Sequence, residues 1–235
     1  MNDELRRVMG IFAHPDDPEF FCGGTFAKWA AEGKEIVFVL ATSGDKGSGD
    51  LSMTSDQLIP IREQEERAAA ARLGVPDVVF LRFPDGELQN TLELRRHLTR
   101  MIRLKKPDIL VTNDPTARWF GMNYINHPDH RAIGDAALDA VFPAARDHLS
   151  FPELYRDEGL APHKVQHIYV CGTLDPNAKI DVTDYVETKI AALREHKSQI
   201  ADMEEMARRQ RENLDPLYVG DGRRYTESFR VFQLR

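Results

Sequence analysis

Short runs of β-branched and aromatic residues alternate along this chain with longer amphipathic runs, the pattern of βα units that pack a parallel sheet between helices. The runs predict strands at 8–13, 35–42, 78–83, 108–112 and 165–172, and helices at 23–31, 60–73, 91–105, 128–141 and 183–199. Gly33 and Gly74 each follow a helical run, where a left-handed C-terminal cap favours glycine, and Pro60 reads as the opening residue of its helix. Asp181 or Thr183 is the expected N-cap of the last of these helices, and a polar helical stretch then leads to Asp215-Pro216. Irregular segments at 42–55 and 113–126 follow the second and fourth strands, at the carboxyl ends where open α/β sheets bind ligands.

A length of 235 residues suits one domain, 1–235, and 42% hydrophobic residues suffice for a sizeable core. With 31 Lys and Arg against 38 Asp and Glu, the net charge of −7 disfavours nucleic-acid or anionic-lipid partners. Two cysteines, Cys22 and Cys171, make neither a disulfide framework nor a Cys-x-x-Cys zinc site, which implies a reducing compartment. The charged start, Met1 to Arg7, leads into an apolar run that ends at His14, too short for a signal peptide. No run approaches the roughly 18 apolar residues of a membrane span, so a cytoplasmic location is expected.

Chemistry concentrates in two clusters. The first strand runs into His14-Pro15-Asp16-Asp17, where Pro15 stops the strand and lets an imidazole and two carboxylates aim at one point. Structurally, His14 is equally well a hydrogen-bonded loop residue, with Asp16 or Asp17 a helix cap. The second cluster, His127-Pro128-Asp129-His130, opens a helix with its imidazoles on one side, where solvated histidines on a surface turn are the competing account. Together the clusters offer two imidazoles and a carboxylate to one cation with a position left for water, a catalytic pattern that suits Zn²⁺ or Fe²⁺. Zinc is the better match for hydrolysis.

Ala13-His14-Pro15-Asp16-Asp17-Pro18-Glu19, Gly23-Gly24-Thr25, Arg62-x-x-Glu65 with Leu73-Gly74-Val75, Pro84-Asp85-Gly86 and His127-Pro128-Asp129-His130 resemble, in order and spacing, the LmbE-like or PIG-L family of metal-dependent deacetylases. Lys189 and His196-x-Ser198-Gln199 resemble that family's later helix, so the likeness covers most of the chain. The resemblance implies an α/β, Rossmann-like three-layer sandwich with a mainly parallel sheet. It also implies hydrolysis of an N-acyl group, commonly N-acetyl on a small amino-sugar derivative such as an N-acetylglucosamine conjugate. Carried over by position, it makes His14, Asp17 and His130 the metal ligands and Asp16 the general base. His127 would then face the carbonyl oxygen, with Asp129 holding its ring and favouring its charged form.

Arg62 and Asp85 match family positions that contact substrate, although a solvated helix face and a Pro-Asp-Gly turn explain them nearly as well. Glu19 could support the metal site or simply favour a helix start. Some family members carry a tyrosine two residues before the His-x-Asp-His motif; that position is Ile125 here, so either Tyr124 serves through a different loop path or His127 works without it. Trp119, Phe120 and Tyr124 could stack on a sugar face or pack under their loop. Asp45-Lys46-Gly47 could form a lid or an ordinary surface loop. Cys22, before Gly23-Gly24, reads as a packing residue and not a nucleophile. The rival functions are a metal-dependent amidase of a larger thiol conjugate, a phosphoesterase, or a non-catalytic nucleotide-binding module. No Gly-x-Gly-x-x-Gly turn follows the first strand, which argues against the last. The expected partner is thus a small N-acetylated molecule, and the resemblance leaves a homo-oligomer open.

Overall fold

The computed structural model describes residues 5–212, 222 and 224–235; Asp215-Pro216 lies outside them. From β1 (Arg7–Phe12) the chain forms α1 (Asp17–Ala31), β2 (Glu35–Thr42), α2 (Ser55–Arg72), β3 (Asp77–Phe83), α3 (Leu92–Lys105) and β4 (Ile109–Asn113). A small hairpin follows, β5 (Trp119–Phe120) and β6 (Tyr124–Ile125), then α4 (Pro128–Asp139), α5 (Pro152–Arg156) and β7 (His167–Cys171). The remainder is β8 (Ala178–Asp181), α6 (Val186–Leu193), α7 (Met203–Glu212) and β9 (Thr226–Gln233). The seven-stranded sheet has the order β3-β2-β1-β4-β7-β9-β8. It is parallel from β3 to β7, whereas β9 runs antiparallel to β7 and β8 antiparallel to β9. Helices cover both faces, which makes this an α/β fold with a mixed, mainly parallel sheet.

Successive residues of a strand point to opposite faces, so β1 feeds two cores. Met9 and Ile11 pack with Leu98, Ile102 and Ile133 beneath α3 and α4. Val8 and Phe12 pack with Phe26, Phe38, Ala69 and Leu73 beneath α1 and α2. No helix of the described residues is long and apolar enough to cross a membrane.

Gly33 and Gly74 take the left-handed backbone expected of them, with φ +83° and +80°. Other boundaries depart from expectation. Helix α2 begins at Ser55 and not Pro60, because Thr54 and Gln57 form a reciprocal capping box that sets the start a turn earlier; Pro60 lies inside the helix. Helix α1 begins at Asp17, but Cys22 breaks its helical geometry (φ −152°, ψ 31°), so the segment expected from Gly23 is its second half. That break is satisfied from far away in sequence. Glu227 on β9 accepts the amides of Gly24 (3.0 Å) and Thr25 (2.7 Å), while Lys189 donates to the Phe20 carbonyl (3.0 Å) and to Glu227 (2.8 Å). The helix expected at 183–199 ends at Leu193, and residues 194–199 turn back toward α2. Asp181 caps no helix; it ends β8 and accepts from the Thr183 amide (3.0 Å) and hydroxyl (2.6 Å), and Tyr185 is the residue before α6. The segment at 113–126, expected as loop, contains the β5–β6 hairpin.

Candidate active site

Strands β1 and β4 are neighbours, and the chain leaves them toward opposite sides of the sheet, so a crevice opens between their carboxyl ends. His14 to Asp17 fill one side of it and Asn126 to His130 the other. Gly134 allows the second side to close in: a Cβ there would lie 2.4 Å from the Asn113 carbonyl, so only glycine lets α4 seat against the end of β4.

The structure brings His14, Asp17 and His130 together, each buried and each with a ligand-type atom within 4.8 Å of the others. His130 Nε2 stands 3.0 Å from Asp17 Oδ1, and His14 Nδ1 3.6 Å from Asp17 Oδ2. The His14 amide donates to Asp17 Oδ2 (2.9 Å), which ties the two residues into one turn. Asn126 fixes the orientation of His130. Its Nδ2 donates to the Ala117 carbonyl (2.7 Å), so its Oδ1 faces His130 Nδ1 at 2.9 Å and can only accept. Nδ1 therefore carries the proton and Nε2 turns a lone pair toward the Asp17 carboxylate. Two acceptors at that separation require a proton or a cation between them. A cation at about 2.1 Å from each donor would hold them roughly 3.4 Å apart, close to the spacing here, and two imidazoles with one carboxylate suit a divalent ion.

Carboxylates surround the far side of His14. Its Nε2 lies 3.0 Å from Asp85 Oδ1 and 3.4 Å from Asp129 Oδ2. Burial opposes charge on His14, but Asp129, Asp17 and Asp85 outweigh it and push the pKa up to about 12. Asp17 responds in the opposite sense: burial would raise it, yet His130 and His14 hold it well below the usual carboxylate range. Asp85 is likewise lowered against its burial, chiefly by His14.

Asp129, fully buried, was expected beside His127, but the approach there is 4.0 Å. Its carboxylate instead accepts the amides of Gly86 (2.7 Å) and Leu88 (3.3 Å) and faces His14. His127 Nδ1 accepts from the Asp129 amide at 3.3 Å, which leaves the proton on Nε2. Burial, then the charge of His14, lowers the His127 pKa, so this geometry favours its neutral form.

Asp16 adopts φ 92°, and its Oδ2 accepts from Arg62 at 3.1 Å. Burial raises its pKa and neighbouring Asp17 adds to the rise, while Arg62 and His196 counter it. The Arg62 guanidinium also donates to the Pro15 carbonyl (2.6 Å) and the Gly44 carbonyl (3.0 Å), so most of its fork is used inside the protein. The loop at 45–47 is pinned too: the Asp85 amide donates to Asp45 (3.0 Å), and the Lys46 amide to Asp85 (3.3 Å).

His14, Asp16, Asp17, Arg62, Asp85, His127 and His130 line a cavity of about 680 Å³ that also touches Phe20, Phe21, Gly47, Phe120, Tyr124 and Gln199. The hairpin places Tyr124 in the wall, its ring 6.0 Å from Phe120, and leaves Ile125 84% exposed. Trp119 is exposed and outside the cavity lining. Cys22 is fully buried, its thiol pushed up by burial and by Cys171, consistent with packing. Sequence reasoning passed over Asn126, four residues before His130, and the aromatic pair Phe20-Phe21; an amide four residues before a candidate ligand histidine is the signal that could have found the first.

A second polar group lies behind the first. Glu19, Glu66 and His196 are sealed from solvent, with ligand-type atoms also within 4.8 Å of one another. Burial, opposed in part by the backbone, pushes Glu19 up to about 8, and burial with the charge of Glu19 raises Glu66 well above its ordinary value.

The family model described as PIG-L, GlcNAc-PI de-N-acetylase, matches residues 9–141. The diacetylchitobiose deacetylase of Thermococcus kodakarensis is 34% identical over 231 residues, covering 97% of this chain and 84% of that protein. A 1D-myo-inositol 2-acetamido-2-deoxy-alpha-D-glucopyranoside deacetylase of Mycobacteroides abscessus is 30% identical over 92% of this chain and 89% of its own length. Among solved structures, the N,N'-diacetylchitobiose deacetylase from Pyrococcus horikoshii, complexed with its inhibitor MPG, superposes with a TM-score of 0.86 at 33% identity, covering 98% of this chain and 85% of that one.

Proposed function

The chain belongs to the PIG-L family, and from that premise we propose that it is a metal-dependent hydrolase that removes the N-acetyl group of an amino sugar, with Zn²⁺ as its ion. The observation that carries the reading is the His14–Asp17–His130 cluster on the floor of an open cavity with Asp16 beside it. Those residues would hold the ion, which supplies Lewis acidity, lowering the pKa of a water toward about 7 and polarising the amide carbonyl.

Asp16 serves as general base. Arg62 occupies its Oδ2, so the other oxygen is left for the proton of the attacking water, which Asp16 can return to the departing amine. Burial makes it a stronger base than a surface aspartate, while the charge of Arg62 counters that rise. His127 donates its Nε2 proton to the developing oxyanion, in an orientation set by the Asp129 amide. Asp129 and Asp85 brace His14 from behind, the arrangement that orients a ligand imidazole and increases its basicity.

For substrate, the cavity exceeds the volume of one amino sugar, and Phe20, Phe120 and Tyr124 offer apolar faces for pyranose rings. A disaccharide of the diacetylchitobiose type fits both the size and the relatives. The test is acetate release from N-acetylglucosamine, diacetylchitobiose and a phosphoester control, before and after chelation. Turnover of an N-acetylated sugar that a chelator abolishes and Zn²⁺ restores is expected; turnover indifferent to chelation, or release of phosphate alone, would overturn the reading.

A further inference from the structure

Arg62-x-x-Glu65 and His196-x-Ser198-Gln199 stand out in the sequence, yet the chemistry above uses only Arg62. The fold brings them together behind Asp16. That residue holds a left-handed backbone, φ 92°, which a non-glycine residue keeps only where its surroundings over-determine it. Its amide donates to Glu66 Oε2 (3.0 Å), its carbonyl accepts from the Phe20 amide (2.9 Å), and its carboxylate accepts from Arg62 (3.1 Å). Arg62 and Glu66 are one turn apart on α2, so one rigid helix grips the turn by its side chain and by its backbone.

Glu66 is itself confined. It is fully buried with His196 Nε2 3.9 Å from its Oε2, and the same nitrogen lies 3.3 Å from Glu19 Oε2. Glu65 fastens the turn that carries His196 to α2, accepting from the Ser198 amide (2.8 Å) and hydroxyl (2.6 Å). Gln199 continues the tie by donating to the Gly47 carbonyl in the cavity wall (2.8 Å).

We propose that Glu66 is a positioning residue: by accepting the Asp16 amide it holds that residue in its left-handed pose and aims the carboxylate at the scissile acetamide. His196 and Glu19 keep the Glu66 side chain in place. The proposal rests on Asp16 being the base.

The experiment compares Glu66→Ala, Glu66→Gln, Asp16→Asn and Asp16→Asn/Glu66→Ala in the zinc-loaded protein, reading kcat and KM for acetate release and bound zinc per chain. Glu66→Ala should lower kcat about 100-fold with KM within about threefold and one zinc retained, since small misplacement of a reacting group costs about that much. Glu66→Gln should stay within about threefold of the parent, because its side-chain carbonyl still accepts the amide. On the Asp16→Asn background, Glu66→Ala should cost nothing more. A parental rate for Glu66→Ala, an equal loss for Glu66→Gln, or additive losses in the double variant would each overturn the proposal. So would a second zinc per chain that Glu66→Ala removes, which would make the buried trio an ion site. Should Glu66→Ala fail to fold, Glu66→Gln decides: a fall of more than about tenfold refutes the role of the hydrogen bond. Near-parental turnover by Asp16→Asn would instead defeat the base assignment, a separate failure.

Discussion

Two imidazole–carboxylate groups meet at one turn of this protein, two histidines with an aspartate in one and one histidine with two glutamates in the other, yet they are prepared for different work. His14, Asp17 and His130 face a cavity, and outer partners aim them: Asn126 sets which nitrogen of His130 points inward, while Asp85 and Asp129 hold the far side of His14. Glu19, Glu66 and His196 are sealed; both nitrogens of His196 and both carboxylate oxygens of Glu19 are without hydrogen-bond partners among the described residues. Both groups pair imidazole with carboxylate, so the chemistry of the side chains alone does not separate them. What does is access to solvent together with neighbours that settle where each proton sits, the difference that suits one group to the proposed binding and reaction and the other to the proposed bracing.

The sharpest way to break that contrast is to exchange the histidines' fates. His130→Ala should lose the ion and, with it, several kcal/mol of transition-state stabilisation, on the order of 1,000-fold or more in turnover. Metal content and acetate release are the measurements, with the melting temperature of the metal-free protein nearly unchanged. His196→Ala, sealed among acids, should show the reverse weighting, with zinc retained and the melting temperature lowered. Loss of zinc from His196→Ala equal to that from His130→Ala would erase the distinction. A smaller effect tests the aiming partners: Asn126→Ala should weaken zinc affinity by about 10- to 100-fold without touching a ligand. Competition with a chromogenic chelator measures it, and an unchanged affinity would mean His130 needs no such guidance.

How legible these features were depends on how far apart in sequence their causes lie. The parallel strands β1, β2, β3, β4 and β7, the helices α2, α3 and α4 and the two histidine-containing clusters announce themselves locally, through hydrophobic periodicity and short motifs, whereas the β5–β6 hairpin and α5 do not. The antiparallel edge was missed, since β8 and β9 are stabilised by pairing with each other and with β7 and not by any run that stands out. The start of α2 was read from Pro60, a strong signal that here sits within the helix, and the Thr54–Gln57 capping box that sets it was passed over. The break in α1 at Cys22 and the support of Asp16 depend on Glu227, Lys189 and Glu66, partners that no window around Asp16 contains. Asp129 was assigned to its sequence neighbour His127, whereas the fold gives it His14 and the amides of Gly86 and Leu88.

The smallest expected effect separates two carboxylates on one helix. Glu63, unlike Glu66, has an arginine partner: Arg82 donates to it from Nε (2.8 Å) and Nη2 (3.0 Å), and Ser43 adds a hydroxyl at 2.7 Å. Arg82 first, and Ser43 after it, hold Glu63 below its ordinary pKa against the opposing pull of burial. The folded chain therefore binds this proton less tightly than the unfolded chain, where a glutamate titrates near about 4.3. Stabilisation from the pair is full above that pH and disappears as the pH falls through the lower folded value. Because the Arg82 side chain is 65% exposed, screening keeps the contribution small, and Glu63→Gln should lower the melting temperature at pH 7 by only about 2 °C. The two melting curves should converge as the pH is taken below about 4. A gap that stays constant with pH would mean that Glu63 acts through shape and not charge, and that a cationic neighbour is not what divides it from Glu66.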